Sequence, residues 1–154
     1  NMPSLTSLNM SDNNIGGDGK RSLFAGLGSC RALKTLVLSS NNIDDADASS
    51  LATDLSQNQS LTSLHLSQNE IGDEGAVRLA RALRGGHVMR ELNLMENDVH
   101  DAGARAIAEA AAACTSLTSL NMSGNDFGGE AKEALLACRG QTLTEVLADE
   151  CAPV

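Results

Sequence analysis

The residues able to do chemistry in this chain are few, and their spacing limits what that chemistry can be. Three histidines, His65, His87 and His100, and four cysteines, Cys30, Cys114, Cys138 and Cys151, are the candidate metal ligands and nucleophiles. The cysteines form no CxxC pair and no Cys/His zinc spacing, so free thiols in a reducing, intracellular setting are expected. The run GGDG at Gly16 to Gly19 lacks the Lys-Ser/Thr that ends a phosphate-binding P-loop. No GxSxG nucleophile elbow is present. One acidic column, Asp45, Asp73 and Asp101, recurs every 28 residues and imitates a metal site.

That interval belongs to the whole chain. LTSLNMSDNNIGGDG from Leu5, LKTLVLSSNNIDDAD from Leu33, LTSLHLSQNEIGDEG from Leu61, MRELNLMENDVHDAG from Met89 and LTSLNMSGNDFGGEA from Leu117 start 28 residues apart. A sixth start, LTEVLADEC at Leu143, follows after 26 residues. Repetition at such a period is the mark of a solenoid. Counted from each first Leu or Met, apolar residues stand at positions 1, 4 and 6. Positions 4 and 6 share one face of a strand, while apolar positions 19, 20 and 23 follow helical spacing. Each repeat is therefore predicted to be a short strand, a turn and a helix of about three turns. The position-19 column, Leu23, Leu51, Leu79, Ile107 and Leu135, is expected to face inward. Every strand-to-strand connection contains a helix, which makes the strands parallel and the crossovers right-handed. Parallel strands stack at about 4.8 Å and helices at about 8–10 Å, so the sheet must line the concave side of an α/β solenoid.

The turn columns have structural readings. Position 9 is Asn13, Asn41, Asn69, Asn97 and Asn125, an inward amide suited to backbone groups that lose their partners as the chain leaves the strand. Position 12 holds Gly16, Asp44, Gly72, His100 and Gly128, residues tolerant of a left-handed backbone. The acidic column is position 13, just before the helical stretch, where a carboxylate caps free amides and meets the positive end of the helix dipole. The three histidines occupy positions 5, 27 and 12, so no metal triad or Cys-His pair is indicated. No enzyme and no cofactor are expected.

The stretch LTSLHLSQNEIGDEGAVRLARAL, Leu61 to Leu83, and its echo LNLMENDVHDAGARAIAEA, Leu92 to Ala110, resemble the ribonuclease-inhibitor type of leucine-rich repeat. The class includes ribonuclease inhibitor, NOD-like receptor repeats and the GTPase-activating protein of Ran. The resemblance implies a horseshoe segment for protein recognition, as a binding or scaffold module or as a small-GTPase regulator; a structural subunit of a ciliary or organellar assembly is the further alternative, favoured by a concave face rich in Ser and Thr and an uncapped start. The chain departs from ribonuclease inhibitor in lacking its dense cysteines and its contact aromatics.

Composition limits the core and the class of partner. Aromatics are 1% of the 154 residues, with neither Trp nor Tyr, so the core must be aliphatic. The formal charge, 11 minus 20, is -9, the wrong sign for nucleic acid or anionic lipid. A protein partner is expected, with no nucleic acid and no membrane. On the concave face the most distinctive patch is His65, Gln68, Arg90, Glu91, Asn93, Met95 and Glu96. The convex alternative is Arg78, Arg81 and Arg84, which should project from the third helix, with Glu109 placed to neutralise part of that stripe.

Residues 1–154 are expected to form one repeat domain, a fragment of a longer array, because Asn1 to Ser4 align with the last four positions of a repeat. The outer edge of strand one should then be covered by a further repeat, a second copy or a neighbouring subunit. At the other end Glu145, Asp149, Glu150, Cys151 and Pro153 suggest a closing edge strand.

Overall fold

A computed structural model describes residues 4–84, 88–140 and 143–148. His87, Asp149, Glu150, Cys151 and Pro153 lie outside the described residues. Strand and helix alternate through β1 (Ser7–Asn9), α1 (Gly17–Leu27), β2 (Thr35–Val37), α2 (Asp45–Leu55), β3 (Ser63–His65), α3 (Asp73–Leu83), β4 (Glu91–Asn93), α4 (Asp101–Ala113), β5 (Ser119–Asn121), α5 (Gly129–Ala137) and β6 (Glu145–Leu147). The six strands form one parallel sheet in chain order. From β1 to β5 each residue pairs with the one 28 positions later, as Leu64 does with Leu92. The sequence period thus sets the sheet register directly.

Equal positions stack into columns. Leu36, Leu64, Leu92 and Leu120 at position 4 are buried, as are Leu38, Leu66, Leu94 and Met122 at position 6. Leu51, Leu79, Ile107 and Leu135 close the core from the helix side, while Leu23 in the outermost helix is only partly buried.

The asparagine column does what its position predicts. The Asn69 amide nitrogen donates to the carbonyls of Leu38 (3.1 Å), Leu66 (3.0 Å) and Ser67 (3.2 Å), and its Oδ1 accepts from the Asn41 and Ile43 amides at 3.0 Å each. Asn97 and Asn125 repeat the pattern, their oxygens accepting from Ile71 and Val99 at 3.1 Å. One buried side chain therefore ties two successive turns together.

Two expectations are corrected. Position 12 is not left-handed: Gly16, Asp44, Gly72, His100 and Gly128 all have negative φ and extended backbone, and each is the N-cap of its helix. The left-handed column is position 8, with φ of 56° at Asp12, Ser40 and Gln68, 52° at Glu96 and 70° at Gly124. The chain reverses there, immediately after the strand. Because the whole column shares this conformation, it is a demand of the fold and not of one site.

The position-13 carboxylates do cap helices, but the helix capped belongs to the next repeat. Asp45 Oδ1 accepts from the Gly72 and Gly75 amides of α3 at 2.7 and 2.9 Å. Asp73 Oδ1 accepts from His100 and Gly103 of α4 at 2.9 and 2.7 Å, and Asp101 from Gly128 at 2.7 Å. The reason is stagger: position 13 already lies inside its own first turn, and its side chain points along the stack. Where the capping column holds Gly17 instead, α2 is capped by its own Asp44, which accepts from the Asp47 amide at 2.9 Å.

Such close stacking leaves no room for a side chain at position 15 of repeats three and four, Gly75 and Gly103. A Cβ on Gly103 would stand 2.7 Å from Asp73 Oδ1, 2.8 Å from Val99 Cγ1 and 2.9 Å from Ala76 Cβ. Gly103→Ala is predicted to destabilise the chain by about 1–3 kcal/mol, through overpacking and a displaced cap. Gly26→Ala, whose Cβ would meet nothing within 4 Å, should instead gain roughly 0.4–1 kcal/mol. Urea titration of both variants checks this, and equal effects would contradict the packing.

Candidate functional site on the concave sheet face

The short strands leave side chains at positions 3 and 5 standing on the open face of the sheet. In repeats three and four these are Ser63, His65, Glu91 and Asn93, all half-buried by their lateral neighbours. Strand pairing puts Ser63 beside Glu91 and His65 beside Asn93. Ser63 Oγ donates to Glu91 Oε2 at 2.9 Å and lies 2.9 Å from His65 Nε2, while Nε2 and Glu91 Oε1 are 3.5 Å apart. Ser63 was not singled out from sequence, and the signal that finds it is its 28-residue offset from Glu91.

A serine, a histidine and a glutamate in contact invite comparison with a nucleophilic triad, and the wiring argues against one. In such a triad the serine and the carboxylate engage opposite nitrogens of the imidazole. Here both approach Nε2. Ser63 has one proton and gives it to Glu91, so Nε2 must donate to Ser63 and cannot serve as its base. The three groups form a bridged polar surface.

The rest of the concave patch continues this cross-repeat pattern. Gln68 Nε2 donates to Glu96 Oε2 at 2.8 Å, and Ser40 Oγ donates to Gln68 Oε1 at 3.1 Å. The Asn93 side chain accepts from the Met95 amide at 2.9 Å, which orders Met95 as a half-buried apolar contact beside exposed Glu96. Arg90 is exposed at the opposite end of the strands, so the structure brings six of the seven predicted residues together and leaves Arg90 at the margin.

Arg78, Arg81 and Arg84 do project from α3 and are exposed. Their charge is partly neutralised, since Arg84 pairs with Glu109 at 2.8 Å and Arg78 approaches Glu74 at 3.9 Å. A shallow groove there is lined by Asp73, Glu74, Val77, Arg78 and Arg81, a mixed surface and not a basic stripe.

The other chemical candidates occupy structural places. Cys30, Cys114 and Cys138 carry free thiols. Burial pushes the Cys138 thiol above its usual range, which disfavours the thiolate a nucleophile needs. His100 caps α4 with its backbone, and its ring lies 4.0 Å from Asp126. Among the described residues no group of three His, Cys, Asp or Glu is arranged to hold a metal ion. No helix among them is long and apolar enough to cross a membrane.

A right-handed stack of strand-turn-helix units, closed by an amide ladder and presenting an open parallel sheet, defines a repeat solenoid of the α/β class. The family model for the leucine-rich repeat matches residues 1–24, 29–52, 57–80, 87–108 and 113–136, and the chain belongs to that family. Among solved structures, the actin-binding site 2 domain of leiomodin-1 superposes with a TM-score of 0.71 at 21% identity, covering 88% of this chain and 79% of that one. The tropomodulin C-terminal domain from Caenorhabditis elegans gives 0.66 at 18% identity, covering 88% and 83%. These likenesses carry the fold. Among curated proteins no sequence matches.

Proposed function

We propose that this chain is a non-enzymatic protein-binding module whose contact surface is the concave patch of repeats three and four. The observation that carries the reading is the cross-repeat bridging of Ser63, His65 and Glu91 and of Gln68 and Glu96, which holds polar side chains in place before any partner arrives. Side chains already ordered lose less entropy on binding. Met95 supplies the apolar contact that such a patch needs at its centre, and Asn93 and Arg90 extend its polar rim. On the convex side, Arg78, Arg81 and Arg84 are the competing surface, weakened by their carboxylate partners.

The same reading extends to the outer edge of β1. Leu5, Leu8, Ile15 and Leu23 are only half covered there, and a further repeat, a second copy or a neighbouring subunit would bury them. Actin is the first partner to assay, because the leiomodin-1 domain is an actin-binding site.

A photo-crosslinking residue at Asn93 and, separately, at Arg81 tests the choice of face. With purified actin, or in extract from the source cells, adducts are expected from position 93, and Glu91→Lys combined with Met95→Ala should reduce them by about tenfold or more. Adducts from position 81 alone, or none from either, would contradict the concave assignment.

A further inference from the structure

We propose that the turn of the first repeat, Asn13 to Gly19, is a strap with two seats, held in its open seat in this structure. The argument starts from a missing bond. At three junctions the position-11 amide of one repeat donates to the ladder asparagine of the next: Ile43 to Asn69, Ile71 to Asn97 and Val99 to Asn125, at 3.0–3.1 Å. At the first junction the same register would send the Ile15 amide to Asn41. Asn41 is fully buried, and its amide nitrogen reaches Met10, Leu38 and Ser39 as the column requires, yet its Oδ1 has no partner among the described residues. A buried acceptor left empty is costly, so a seat that fills it is favoured by that bond.

Something else occupies the junction. Lys20 is 7% exposed, and its ammonium donates to the Asn42 carbonyl and to Asp47 Oδ2, both at 2.5 Å. The carbonyl is presented by a backbone peculiar to this place: Asn42 has φ of 51°, and among the described residues no other position-10 residue is left-handed. Sequence departures coincide there. Gly17 replaces the capping Asp of position 13, Lys20 replaces the alanine that Ala48, Ala76 and Ala104 supply at position 16, and Asp47 replaces the glycine that Gly75 and Gly103 supply at position 15. The junction has exchanged the carboxylate cap of its neighbours for a lysine clasp.

In the open seat Lys20 grips the turn of repeat two and the Asn41 acceptor is empty. In the closed seat the Ile15 amide fills Asn41 Oδ1, as at the later junctions, and the clasp on Asn42 is released. Gly16 and Gly17, with nothing near their Cβ positions, give the strap the room to move. Asn14 and Asp18 on this strap are exposed.

Residue-resolved amide exchange and relaxation dispersion on the whole chain test the proposal. The Ile15 amide should exchange much faster than those of Ile43, Ile71 and Val99, and Asn13 to Gly19 should share a microsecond-to-millisecond exchange process with Asn41 to Ile43. Simple fraying of an edge repeat would give the first result without the second. The variant Gly17→Asp with Lys20→Ala and Asp47→Gly rebuilds the arrangement of the later junctions. It should raise Ile15 protection at least about tenfold and leave Ile71 and Val99 unchanged. An Ile15 amide already protected like Ile71, no shared exchange process, or a folded triple variant with Ile15 unaltered would each overturn the proposal. If the triple variant fails to fold, the dispersion measurement on the unaltered chain decides alone.

Discussion

Replacing Asn69 with alanine is expected to lower the free energy of unfolding by roughly 3–5 kcal/mol, a large part of the stability of a domain this size. The side chain is 8% exposed and serves five backbone groups from two repeats. Alanine would orphan the Asn41 and Ile43 amides and strip a donor from three carbonyls, each orphaned buried group costing about 1–3 kcal/mol where water cannot reach it. Water entering the vacated space recovers part of this, which keeps the total below the simple sum. Glu70→Ala is the control, since exposed Glu70, which is not left-handed, accepts from the Asn42 side chain at 2.8 Å, and its loss should cost less than about 0.5 kcal/mol. Urea titration followed by circular dichroism reads both. An Asn69→Ala loss below about 1 kcal/mol would show that the ladder amide is dispensable.

Leu79→Ala should cost about 2–5 kcal/mol, toward the upper end of that range. Leu79 is 2% exposed and central among the helices. A void of ≈ 10 Å³ already borders it, lined also by Leu55, Leu64, Ala82, Leu83, Met89 and Leu92, so the truncation enlarges space that the surrounding columns have not collapsed to fill. The same change at Leu23, partly buried in the outermost helix, should cost less. Because each repeat rests on its neighbours, weakening the middle of the array should also broaden the transition and lower the apparent m-value. A loss below about 1 kcal/mol with an unchanged m-value would contradict the central role assigned to position 19.

The strength of both effects explains how much could be read from sequence. Position 4 and position 6 leucines, the Asn69 column and the position-19 column each depend on a residue meeting its own equivalent in the next repeat. A 28-residue period in sequence becomes a one-strand step in space, so the pattern announces its own contacts. The concave patch was partly legible on the same basis, because His65, Glu91 and Asn93 stand at strand positions. Ser63 was hidden by its ordinariness, as one of many hydroxyl residues on that face, until the pairing with Glu91 made it the bridge.

What the sequence by itself determined is thus the set of elements, their parallel order, the curvature and the buried columns, since all follow from a repeated period and the different widths of strand and helix. Tertiary structure alone decided which groups meet across the helix layer. There the offset is no longer one period: Asp45 reaches 27 and 30 residues ahead, to Gly72 and Gly75, because the helices are staggered relative to the strands. The same stagger brings Lys20 to Asp47 across 27 residues. A period fixes which residues are equivalent. The direction each side chain takes along the stack is set by packing, and it gave the carboxylate caps to the next helix and the lysine clasp to the first junction.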